Sequence, residues 1–326
     1  MLTRRRILFS LASACAAGGP SFAQADKILH LGTIATGAPM TADSPQGKIL
    51  IKALADLDYE AGKNLSFASR GAMADIARLP GIVEDLKAGG AAILVALGYP
   101  SAAAAKAAGV ATVIFAGAGD PVATGLVESW AHPGGVVTGI SDVAATLTVK
   151  RLELLKAFSP QLKRVAMLWN TDDRAMTLRY QASAETAKIQ GLIVQPLGVR
   201  EPDDFNGAFA AMERDKPDAI LMVADALTVL NRKRVFDYAA SRRLPAIYES
   251  DFFAREGGLM SYGADQRESL TRAASMVDRI FKGARPGDIP FEQPTRYLFV
   301  INLKTAKAMG LEPPVTLLGL ADDVIE

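Results

Sequence analysis

Carboxylates, hydroxyls, amides and aromatic rings recur in this chain directly after short apolar runs. Thr36 follows Ile28–Ile34, and Gly98, Tyr99 and Ser101 follow Ala91–Leu97. Asp120 comes after Val113-Ile114-Phe115, Ser141 closes Val136–Ser141, and Asn170 closes Arg164–Asn170. Asp225 ends Ala219–Ala224, while Tyr248, Glu249 and Asp251 end the next run and Tyr262 the one after. Such groups suit non-covalent capture of a small organic molecule: carboxylates take an ammonium, hydroxyls and amides fix orientation, and rings stack on an apolar body. At Gly98-Tyr99-Pro100-Ser101 a run ends and an Ala-rich helix opens, so free backbone N–H groups there suit a ligand carboxylate. Each position also has a plainer explanation. Ser101 and Asp203 fit helix N-caps, Asp120 fits a cap with Pro121 at the first helical position, and Gly37 and Pro39 beside Thr36 fit a turn. Tyr248, Tyr262 and Trp169 fit core packing at strand ends.

Covalent and metal chemistry has less support. The chain has no G-x-S-x-G elbow, no P-loop Gly-Lys-Ser/Thr and no G-x-G-x-x-G; Gly117-Ala118-Gly119 is too short to count. Its two histidines, His30 and His132, lie far apart and its one cysteine is Cys15. No metal motif and no cofactor are therefore expected. Plentiful Asp and Glu leave a two-carboxylate hydrolase as the enzyme alternative. A formal net charge of +1 over 326 residues argues against nucleic acid, which needs a basic field. Arg232, Lys233, Arg234, Arg242 and Arg243 are read as a solvated helix face.

The N-terminus reads as an export signal. Arg4, Arg5 and Arg6 precede the apolar Ile7–Ala17 and the small-residue site Ala23-Gln24-Ala25. The apolar run falls short of the roughly 20 residues needed to span a bilayer. Residues 1–25 are thus expected to leave as a signal peptide, Asp26 to begin the mature chain, and the protein to work in the periplasm. Thr3–Leu8 also loosely resembles a twin-arginine signal. A lipid anchor at Cys15 is the lesser reading, because Leu is missing three residues before it.

From Lys27 onward, apolar runs alternate with amphipathic helices. The runs are mostly continuous, as in parallel strands covered on both faces. Leu270, Ala273, Ala274, Val277, Ile280 and Phe281 trace one helix face. The pattern runs twice: Ala91–Val95 pairs with Asp218–Met222, and Val113-Ile114-Phe115 leading to Asp120 pairs with Ala246-Ile247-Tyr248 leading to Asp251. This predicts an α/β fold of two doubly wound parallel-sheet lobes, with ligands at the C-terminal strand ends. The expected lobes are 26–142 joined by 264–290, and 143–263 joined by 291–326, with a helix over Leu147–Phe158 opening the second.

Local motifs then carry a family resemblance over nearly all of the mature chain. Gly119-Asp120-Pro121-Val122 with Gly125-Leu126-Val127, and His132-Pro133-Gly134-Gly135 with Thr138-Gly139-Ile140-Ser141, resemble a signature of bacterial ABC-importer solute-binding proteins. So do Gly257–Gly263, Glu292–Thr295, Val300–Lys307 and Ala321–Glu326. The resemblance is to the tryptophan/tyrosine type. It implies a type I periplasmic-binding-protein fold, a multi-strand hinge, a ligand closed between two lobes, ABC permease subunits as partners and a monomeric state. Two positions depart from the pattern. Val136 stands where Asn is common, and Tyr99 puts an aromatic into a loop that usually reads Gly-Thr-Pro. A membrane sensor in place of the permease is the alternative partner.

Overall fold

The computed structural model describes residues 28–326. The expected signal peptide, Cys15 and Asp26 lie outside these residues. The chain first lays down β1 (Leu29–Ala35), α1 (Pro45–Ala55), β2 (Leu65–Gly71), α2 (Leu79–Ala88), β3 (Ile93–Leu97), α3 (Tyr99–Ala107), β4 (Ala111–Ala116) and β5 (Val137–Gly139). These strands form a wholly parallel sheet in the order β2-β1-β3-β4-β5.

A second run follows: α4 (Thr148–Phe158), β6 (Arg164–Asn170), α5 (Arg174–Ile189), β7 (Ile193–Val199), α6 (Asp204–Arg214) and β8 (Ala219–Met222). It continues through α7 (Ala226–Leu230), α8 (Arg232–Arg242), β9 (Ala246–Tyr248), α9 (Asp251–Arg255) and β10 (Met260–Ala264). The chain then returns as α10 (Gln266–Phe281) to the first sheet, where Leu270, Ala273 and Val277 share a buried core with Leu31, Leu50 and Leu54. It crosses again to β11 (Tyr297–Asn302), α11 (Leu303–Met309), α12 (Val315–Leu318) and β12 (Asp323–Ile325). The second sheet has seven strands, β12-β11-β10-β9-β8-β6-β7.

The result is two α/β lobes in which β1 and β3–β10 match expected apolar runs to within two residues at each end, whereas β2, β11 and β12 match none. The fully buried β8 and β9 explain why the runs are continuous: helices cover both faces. One pair departs from parallel, since β10 and β11 run antiparallel.

Three segments cross between the lobes, and they are tied together. The Ser141 N–H donates to the Glu292 carbonyl (2.9 Å), the Glu292 N–H to Gly139 (2.8 Å) and the Asp265 N–H to Arg296 (3.0 Å). α10 braces the third crossing: Glu268 accepts from the Thr295 and Arg296 N–H groups, and Arg272 pairs with Glu292.

Candidate functional site

The C-terminal ends of both sheets face one cavity of about 340 Å³. The first lobe supplies the loop Thr36–Met40, Gly98 after β3 and Gly117 after β4. The second supplies Asp173, Met176 and Arg179 around the start of α5, Asp225 before α7, and Glu249, Phe252 and Phe253 after β9. The volume falls in the range of small-molecule sites, about 300–1,000 Å³. The two lobes meet beside the cavity. A Cβ built on Gly37 would lie 3.5 Å from the Ala226 Cβ, and one on Gly119 would lie 3.0 Å from the Ala175 Cβ, across the two lobes.

Two aspartates cap helices at the cavity wall. Asp173 Oδ1 accepts from the N–H groups of Ala175 (2.9 Å) and Met176 (3.3 Å). Asp225 forms a capping box with Thr228, and its Oδ2 accepts from Asn170 Nδ2 at 2.6 Å. An Asp at the N-cap satisfies otherwise orphaned donors, which is why the chain turns into helix there. Burial, and then the neighbouring Asp225 charge, push the Asp173 carboxyl up to about 7. Burial also raises Asp225.

Behind them lies a buried ion network. Arg179 donates to Glu249 Oε2 (2.7 Å) and to both oxygens of Asp142 (2.8 and 2.9 Å). Arg151 donates to Glu249 Oε1 (3.3 Å) and to the carbonyls of Tyr262 (2.7 Å) and Ala144 (2.6 Å). Asp142 also accepts from the Gly117 N–H at 3.1 Å, which ties the first lobe to the network. Burial lowers the Arg151 pKa. For Arg179 burial acts the same way, but Asp142 and Glu249 outweigh it and hold the pKa above its ordinary value.

Of the candidate residues, Thr36, Gly98 and Asp225 stand in the cavity wall, as does Glu249. Asn170 sits one row back, holding Asp225. The others point elsewhere. Ser101 is not the N-cap, which is Gly98; its Oγ turns back to the carbonyls of Leu97 (2.9 Å) and Gly98 (2.8 Å). The Tyr99 ring packs between the cores of the two lobes, with its hydroxyl 3.4 Å from the Thr124 carbonyl. Asp120 is exposed and caps the turn at Val122 and Ala123. Ser141 Oγ bonds Gly119 and Val143 within the crossing segment. Tyr248 is buried against Phe236 and Phe253, and burial raises its pKa. Tyr262 is half-buried beside Tyr297 and offers only its carbonyl, to Arg151. Asp251 pairs with Arg255.

Sequence reading missed Asp142, Arg151, Asp173 and Arg179. The local signal for Asp173 was available, as an Asp just before a helical pattern. For the arginines there was none, because their partner Glu249 lies 98 and 70 residues away.

A profile described as ABC transporter substrate binding protein matches residues 40–325. The chain belongs to this family. It is 27% identical over 266 residues to a tyrosine-binding protein of Clostridioides difficile strain R20291, covering 81% of this chain and 76% of that one. Its fold resembles a conserved domain protein from Vibrio cholerae (TM-score 0.84, 23% identity, 91% of this chain and 100% of the other). It also resembles an ABC domain from Streptococcus pneumonia in complex with L-Trp (TM-score 0.80, 24% identity, 92% and 100%). The substrate-binding protein is thus an α/β molecule of the type I periplasmic-binding kind. Among the described residues no helix is long and apolar enough to cross a membrane, and no cluster of three metal-ligating side chains occurs.

Proposed function

We propose that this chain is the periplasmic receptor of an ABC importer and acts as a monomer without turning its ligand over. The lobes 26–142 with 264–290, and 143–263 with 291–326, close on a small organic amine such as an amino acid and present the closed face to permease subunits. The observation that carries this is the cavity walled by strand-end loops of both lobes. A ligand touching both lobes at once stabilises the closed state, which is how binding becomes a signal. Asp225 is the anchor for the amine, held in place by Asn170 and Thr228. The tyrosine-binding relative and the L-Trp complex agree with an amino acid. Arg4, Arg5 and Arg6 ahead of the apolar Ile7–Ala17 support export.

The test is a thermal-shift screen of Asp26–Glu326, refolded to strip carried-over solute, against amino acids, aromatic acids, purines and carboxylates. A rise of several degrees names the ligand class, since a ligand that binds only the native state stabilises it by mass action. Asp225→Ala should weaken that ligand at least tenfold while the protein stays folded by circular dichroism. Unchanged affinity would remove Asp225 from the site. Recovery of chemically altered ligand after incubation would overturn the receptor reading in favour of an enzyme.

A further inference from the structure

The charges around the cavity do not cancel, and their imbalance bears on the ligand. The ionisable groups in its wall are Asp142, Asp173, Arg179, Asp225, Arg232 and Glu249. Arg179 is spent on Asp142 and Glu249, and Arg151 behind the wall completes a neutral foursome. Arg232 pairs with Glu256 at 3.2 Å. Asp173 and Asp225 are left without a cation of their own. Asp173 is 3% exposed, yet among the described residues its Oδ2 accepts no hydrogen bond. A carboxylate on a largely buried side chain is costly to ionise without a cation, and a second carboxylate nearby makes it more so. A ligand in the cavity that brought N–H donors and positive charge would offset both costs.

We propose that Asp173 and Asp225 form a two-carboxylate socket that selects a ligand of net positive charge, a basic amino acid or a primary amine lacking a carboxylate, over a neutral zwitterion. This rests on the receptor reading above and narrows it. A zwitterion brings its own carboxylate into a cavity that already carries two uncompensated ones. A net cation cancels that excess, and its N–H groups reach the free Oδ2. The elevated Asp173 carboxyl agrees with this, because burial and the Asp225 charge raise it and a ligand cation would counter both. The apolar part of the wall, Met40, Phe115, Met176 and Phe252, then takes the ligand body.

The experiment is calorimetric titration of the refolded mature chain at pH 7.5 with matched pairs: tyramine against tyrosine, phenethylamine against phenylalanine, lysine against norleucine. In at least one pair the net cation should bind at least tenfold more tightly than its neutral partner. Asp173→Asn, which keeps the cap acceptor but not the charge, should cut that margin at least fivefold. Zwitterions binding as well as or better than the cations would overturn the socket and leave the receptor intact. An undiminished margin in Asp173→Asn would also overturn it. If no member binds while another solute closes the cleft, the socket is refuted; if no solute at all closes it, the receptor reading fails too.

Discussion

Asp173 serves the helix and strains the fold with the same carboxylate. Its ordinary carboxyl value is 3.8 and its value in the folded protein is about 7. Between those values the folded state keeps a proton that the unfolded chain has released. This group therefore disfavours folding progressively as pH climbs from about 4 to about 7, and by a constant amount above. Asp173→Asn should match the parent near pH 4 and exceed it by about 2–4 kcal/mol at pH 8, measured by urea denaturation at both values. An equal difference at both would mean that Asp173 ionises normally. Glu249 is the opposite case, a carboxylate whose loss is expensive. It compensates two guanidinium groups at 2.7 and 3.3 Å and accepts the Ala224 N–H at 3.0 Å. Glu249→Leu leaves buried positive charge uncompensated and should cost about 3–5 kcal/mol in the same assay. Thr36, Gly98, Asp225 and Glu249 were legible in the sequence because a strand end in an open α/β sheet faces the cleft. The direction of each side chain was not. Ser101 and Tyr248 follow strands just as Thr36 and Glu249 do, and only packing decides that one bonds its own turn and the other joins the core.

The same limit operates on elements. The run Arg164–Asn170 could be read to the residue, since it is apolar almost throughout and turn residues bound it. β2 carried no such signal. It is an edge strand, Leu-Ser-Phe-Ala-Ser-Arg-Gly, only its first residue is fully buried, and its polar residues meet water. β11 was visible as a family motif but not as an antiparallel neighbour of β10, because its direction depends on the chain's third crossing. β10 also holds a position whose importance shows only in three dimensions. A Cβ on Gly263 would stand 1.8 Å from the Glu249 carbonyl oxygen, which is backbone and has nowhere to go. Gly263→Ala should push β10 away from the end of β9 and shift Glu249 off its arginines. A loss of at least about 3 kcal/mol is expected, comparable to other overpacking and network-breaking changes. A variant as stable as the parent would show that the two strand ends do not approach this closely in solution.

At the scale of the whole molecule, two lobes were foreseeable from a pattern that runs twice and a multi-strand hinge from the family resemblance, whereas the closeness of the lobes was not. The lobes approach across the cleft where Gly37 meets Ala226 and Gly119 meets Ala175. A side chain at 37 would sit in ordinary van der Waals contact with Ala226 across the cleft. The Cβ positions at 37 and 226 are 3.5 Å apart, inside the span a disulfide bridges, about 3.5–4.5 Å. The single cysteine of the chain, Cys15, lies in the expected leader, so a mature protein carrying Gly37→Cys and Ala226→Cys has only that pair to oxidise. Oxidation should lock the cleft shut. By small-angle X-ray scattering the oxidised, ligand-free double variant should then give the compact profile of the ligand-saturated parent. After reduction it should return to the profile of the empty parent. If oxidised and reduced forms scatter alike, the lobes do not separate, and binding would have to be signalled by something other than hinge closure. If the bond does not form under oxidant, position 37 does not reach position 226 in solution, and the closed arrangement is not one that the empty protein visits.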